Sequence, residues 1–152
     1  ASKELMACIS PDGAVYQAGT LSGNPIAMAA GIAALGILAQ KDFYTNLNAK
    51  TEAFVNDMRA YIAEKGYKVQ LFHVASIFWF AFTEQQEIQK ASEIDPKSME
   101  SYKVMHRELL NRGVYFGPSG YEVGFVSDAH TKADLDQAKQ HIFDALDIVF
   151  SA

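Results

Sequence analysis

The chain has 152 residues, 49% apolar and 12% aromatic, with a formal net charge of −5. That is enough apolar material for one well-packed core plus a short appended segment. Its 13 Lys and Arg residues are scattered and outnumbered by acids, so it has no basic footprint for nucleic acid or an anionic membrane, and no apolar run reaches the ~18 residues of a membrane span.

Ala1 to Ser10 reads as the tail of a helix, with Leu5 and Met6 on one side and Lys3 and Glu4 on the other, and without an initiator Met or a signal-peptide core. The chain is therefore expected to begin within a longer protein. Cys8 is the single cysteine; with no internal disulfide partner and no Cys/His spacing for zinc, it points to a reducing compartment, the cytoplasm. Ser10-Pro11-Asp12-Gly13 is a turn cluster, and Val15 to Asn24 is a loop of small and polar residues in which Gly19 and Gly23 bracket Thr20 and Ser22. Ser22 or Asn24 is placed to cap a helix whose first turn holds Pro25. Ile26, Ala29, Ala30, Ala33 and Ile37 continue it at helical spacing, and its small residues suit a helix wedged between other masses of protein.

A second helix is predicted over 43–64, with Leu47, Phe54, Met58, Tyr61 and Ile62 inward and Gly66 ending it. Lys68–Val74 and Ile77–Phe82 read as two paired strands, and Glu84–Pro96 as a solvated insertion. A third helix spans about 99–111, stopped by Gly113. Val114-Tyr115-Phe116 and Val123–Val126 are expected to form a second strand pair around the turn Gly117-Pro118-Ser119-Gly120. Thr131 and Asp134 have the spacing of a capping box before a last helix that buries Leu135, Ala138, Ile142, Leu146 and Val149. This order predicts an α+β, two-layer fold, an antiparallel sheet covered by helices, in which residues 1–40 are a connector with an interdomain helix and 41–152 the domain proper.

Two stretches carry a family resemblance. Val15-Tyr16-Gln17-Ala18-Gly19-Thr20-Leu21-Ser22-Gly23-Asn24-Pro25, continued to Gly31, resembles the segment that follows the cofactor lysine in glutamate-1-semialdehyde aminomutases. Gly113–Ser119, with Tyr121-Glu122-Val123-Gly124-Phe125 and Ala129-His130-Thr131, resembles their C-terminal motif. Class III aminotransferases share the Gly-Asn-Pro element, whereas the Tyr-Gln-Ala-Gly-Thr lead-in and Pro-Ser-x-x-Glu-x-Gly-Phe are closer to the aminomutases. The resemblance implies the small C-terminal domain of an aspartate-aminotransferase-like enzyme that uses pyridoxal 5'-phosphate in tetrapyrrole biosynthesis and works as a homodimer on a small-molecule substrate.

It further implies that Gly19 and Thr20 reach the cofactor phosphate of the neighbouring subunit, that Tyr16 lines the active site, and that Glu122 lies near the amino groups of the substrate. Tyr121 stands where family members often carry phenylalanine. None of the ten lysines has the glycine-rich setting of a cofactor lysine, so the chain alone is expected to be inactive and to hold no pyridoxal phosphate.

On residue type alone, Gly19-Thr20 is an ordinary turn before a cap, Glu122 a solvated edge charge and Tyr16 a packing residue. His73, His106, His130 and His141 share no spacing that points to chemistry, and Phe78, Trp79, Phe80 and Phe82 read as core. Two rivals to the aminomutase reading are a class III aminotransferase acting between separate donor and acceptor, and a non-catalytic ligand-binding or oligomerisation module.

Overall fold

A computed structural model describes residues 1–151, which divide into two compact units, Ala1–Lys41 and the residues from Asp42 onward. In the first, a four-residue helix α1 (Lys3–Met6) leads into a turn joined by a bridge between Ile9 and Val15. Helix α2 (Pro25–Leu38) then starts on Asn24, whose side-chain oxygen accepts from the amides of Ile26 and Ala27 at 3.0 and 3.1 Å. Of the two candidate caps, Asn24 is thus the one used, and Pro25 follows at the first position, where a missing N–H costs no helical bond. The apolar side chains Ile26, Met28, Ile32, Leu35 and Ile37 of α2 stand exposed.

The second unit is α+β. Helix α3 (Phe43–Lys65) ends on Gly66 at φ 67, a left-handed position that favours glycine. Strands β1 (Gln70–Val74) and β2 (Ile77–Ala81) pair antiparallel, with Leu71 opposite Phe80 and Phe72 opposite Trp79. A two-residue turn joins them, with Ala75 at φ 53. The insertion expected over 84–96 is a loop carrying one short 3₁₀ turn, Ala91–Glu93. Helix α4 (Ser98–Asn111) stops at Gly113, φ 79, and β3 (Gly124–Phe125) adds to the other side of β2, giving the order β1-β2-β3. Helix α5 (Lys132–Ser151) closes the unit. Its expected capping box forms, Asp134 Oδ2 accepting from the Thr131 amide at 2.8 Å while Thr131 Oγ1 accepts from the Asp134 amide at 3.2 Å.

Alternation in the strands sends Leu71, Phe78 and Phe80 to one face, where the helices cover them. Val55 and Met58 of α3, Met105 and Leu109 of α4, and Ile142, Ala145 and Leu146 of α5 complete a core with no measurable exposure at those seven positions. Tyr61, expected inward, is half-buried at the edge of this core.

The second strand pair does not form. Val114 spends its amide on the Leu109 carbonyl at 2.9 Å, closing the end of α4, and residues 114–116 have no neighbouring strand. Val123–Val126 contributes only the two residues of β3, which pair with β2: Ile77 with Phe125 and Phe78 with Gly124. Gly124 is required there because a Cβ would enter the ring of Phe78. Among the described residues no single helix is long and apolar enough to cross a membrane.

Candidate functional site

The residues singled out by sequence fall in two places. Tyr16, Gly19 and Thr20 share the loop before α2 in the first unit; Glu122 lies in the second. In the loop, Tyr16 is 83% exposed, and the Gly19 carbonyl accepts from the Ser22 amide at 2.8 Å. A Cβ at 19 would meet the Ser22 hydroxyl, which would have to turn aside. The amides of Gly19, Thr20 and Leu21 and the Thr20 hydroxyl have no acceptor among the described residues. An exposed turn presenting several free donors fits a phosphate dianion. The free amides at the start of α2, by contrast, are satisfied by Asn24, so a phosphate here would meet turn amides rather than the helix end.

Glu122 sits at the end of the turn that begins at Phe116. Its side chain lies so close over Gly117 that any Cβ at 117 would overlap the carboxylate. The Glu122 amide donates to the Ser119 carbonyl at 3.0 Å and the Tyr121 amide to Ser119 Oγ at 3.3 Å. Three side chains from outside the turn reach its carbonyls. His106 Nε2 bonds the Phe116 oxygen at 3.2 Å, and the Tyr102 hydroxyl and Trp79 Nε1 donate to the oxygens of Gly117 and Gly120, each at 2.7 Å. The Glu122 carboxylate itself has no cation or hydrogen-bond donor among the described residues. Burial, and secondly the charge of Glu122, push the Tyr102 phenol up to about 12, which keeps it a neutral donor.

Sequence reasoning missed all three of these donors. Trp79 was expected in the core; alternation places it on the outer face, half-buried and stacked on Phe72 at 5.7 Å. Tyr102 and His106 are one turn apart on α4, a spacing visible in the sequence, but nothing local names the carbonyls they meet.

Two of the lysines tie elements together. Lys50 donates to the carbonyls of Asp128 and His130, both at 3.1 Å, tying α3 to the loop before α5. Lys139 joins Asp57 at 2.6 Å and Asp136 at 3.2 Å. Two clefts of the second unit, about 740 Å³ beside Arg59 and Lys68 and about 280 Å³ beside His130 and His141, do not include Glu122. No His/Cys/Asp/Glu cluster suited to a metal occurs among the described residues.

No protein-family model matches the chain. Solved structures match it over most of its length. A beta-phenylalanine aminotransferase from Variovorax paradoxus is 25% identical with a TM-score of 0.73, over 94% of this chain and 33% of that one. An omega-transaminase from Sphaerobacter thermophilus is 19% identical, TM-score 0.73, over 98% and 34%. A glutamate-1-semialdehyde-aminomutase from Pseudomonas aeruginosa PAO1 is 21% identical, TM-score 0.70, over 91% and 31%. The chain spans about a third of the length of each. At such identities the shared property is the fold, that of the matched third of aminotransferase chains.

Proposed function

We propose that this chain is the small-domain part of a longer pyridoxal-phosphate enzyme that moves an amino group within glutamate-1-semialdehyde to give 5-aminolevulinate. The observation that carries the reading is the loop of Phe116–Glu122, which presents a carboxylate with no cation of its own on a turn held by three side-chain donors. A substrate that carries amino groups supplies the missing positive charge. Gly19, Thr20 and Leu21 would receive the cofactor phosphate on their free amides and the Thr20 hydroxyl, in a neighbouring subunit of a homodimer, and Tyr16 would line the pocket.

Pyridoxal phosphate supplies the carbonyl and amine that take up and return the amino group. This chain's residues bind and orient. Glu122 holds an ammonium so that the substrate stays bound between uptake and return of nitrogen, and a closed pocket excludes water. A cytoplasmic location follows from the same reading.

The match to the beta-phenylalanine aminotransferase favours a second reading, transfer between separate amino donor and acceptor. One assay separates the two. The enzyme that contains this segment is given glutamate-1-semialdehyde alone, and 5-aminolevulinate is measured. Product formed without any added donor or acceptor supports the aminomutase; product only when a second amino compound and a keto acid are present assigns it to the aminotransferases. No turnover in either assay leaves the non-catalytic module.

A further inference from the structure

The Phe116–Glu122 turn poses a problem of backbone satisfaction. Its first residues follow the end of α4, have no strand beside them, and so lack a backbone partner for their carbonyls. Helix α4 meets that need with side chains. Tyr102 is 3% exposed and sits one turn before His106; it belongs to the same buried core as Met105 and Leu109, while its hydroxyl bonds the Gly117 oxygen at 2.7 Å and His106 bonds the Phe116 oxygen at 3.2 Å. For packing alone phenylalanine would serve at 102; the hydroxyl adds a polar group whose partner is Gly117, the glycine over which the Glu122 side chain lies.

The turn is also tight on both sides. A Cβ at Gly120 would lie 2.7 Å from Met99 Sδ and 3.0 Å from Tyr102 Cγ, so the backbone there is seated directly on α4. Trp79 holds the Gly120 carbonyl from the sheet side at 2.7 Å. The backbone at 117 and 120 is thus clamped between α4 and β2, and the clamp ends at Glu122.

We propose that Tyr102 is a positioning residue: by holding the Gly117 carbonyl it keeps the 116–122 turn closed and fixes the Glu122 carboxylate over Gly117. The inference rests on the reading of Glu122 as the group that holds the substrate's ammonium. Tyr102 acts through Glu122 and does not touch substrate. Glu122 in turn raises the proton affinity of the Tyr102 phenol, second to burial, which is consistent with the two groups facing each other.

The test has a structural and a kinetic arm. In Tyr102→Phe, exchange of the Glu122 amide, which is bonded to Ser119 in the closed turn, is expected to quicken roughly two- to tenfold, the worth of one neutral hydrogen bond, while amides in α5 are unchanged. Unchanged exchange at Glu122 overturns the proposal. In the enzyme containing this segment, Tyr102→Phe lowers kcat/KM by a similar factor, and in a Glu122→Gln background it produces no further loss. Equal losses in both backgrounds show a merely structural tyrosine and overturn the positioning role while leaving Glu122 in its own.

If Glu122→Gln alone keeps wild-type activity, the ammonium reading fails and this one falls with it. Should Tyr102→Phe not fold, Gly117→Ala displaces the Glu122 carboxylate from the opposite side with the Tyr102 hydroxyl intact. It is expected to show the same non-additivity with Glu122→Gln, and additivity there counts against the proposal.

Discussion

Asp147 joins the far ends of α3 and α5, and its removal is a quantitative test of how the second unit is held. One oxygen, Oδ1, accepts from the hydroxyls of Tyr61 at 2.6 Å and Tyr67 at 2.7 Å, while Oδ2 lies 3.9 Å from Lys65 Nζ. The two rings are themselves stacked on α5, Tyr61 on Phe143 at 3.9 Å and Tyr67 on Phe150 at 4.4 Å. A hydrogen bond to a charged group contributes roughly 1.5–3 kcal/mol when shielded from water. The Asp147 side chain is 42% exposed, so solvent screening leaves well under half of that for each bond, and Asp147→Ala is expected to cost about 1–2 kcal/mol.

For a chain of this length that is a fall in Tm of roughly 3–8 °C, read by urea and thermal denaturation at pH 7. The bonds from Tyr61 and then Tyr67 hold the Asp147 carboxyl below the usual carboxylate range, so its contribution is complete above the unfolded-state value of ~3.9 and is lost as pH falls through the lower folded value. The phenols behave oppositely. Tyr61 is raised by burial and then by Asp147, and Tyr67 by its bond to Asp147 and then by burial, so their share is complete below ~10 and is lost as pH rises above it. The stabilisation should therefore be flat from about pH 5 to 9. A double-mutant cycle of Asp147→Ala with Tyr61→Phe should show coupling of about 0.5–1 kcal/mol; coupling indistinguishable from zero would refute the reasoning.

Thr131→Ala removes the hydroxyl that caps α5 and should destabilise the chain by roughly 1 kcal/mol in urea, with Thr131→Ser restoring most of it. Ala75→Gly should stabilise by about 0.5–1 kcal/mol, because Ala75 at φ 53 occupies a left-handed position without a side-chain reason to be there; a loss of stability on this change would show that the turn is not strained. Incubation of the 152-residue chain with pyridoxal phosphate, then borohydride and mass analysis, is expected to leave no stoichiometric pyridoxyl adduct. One defined adduct on a single lysine would contradict that expectation.

Signals that act over a few residues determined much of the second unit. The Gly66 and Gly113 stops, the Thr131–Asp134 box, the period of two in 70–74 and 77–81, and the helical spacing of Leu47, Phe54, Met58 and Ile62 each work within one or two turns of chain, and each appears where its spacing places it. The candidate site was legible only through its motifs. Gly19, Thr20, Tyr16 and Glu122 are ordinary by residue type, and their selection came from the order of their neighbours.

Tertiary structure alone decided the third strand and the clamp. Val114 to Phe116 has strand composition, yet the Val114 amide is taken by Leu109, and the carbonyls of Phe116 and Gly117 are met by His106 and Tyr102 rather than by another strand. Trp79 and Gly120, 41 residues apart, join because β2 lies beside the turn in space. Hydrogen-bond partners so distant in sequence leave no local period, because the bond depends on which backbone groups remain unsatisfied after the helices and the sheet have packed.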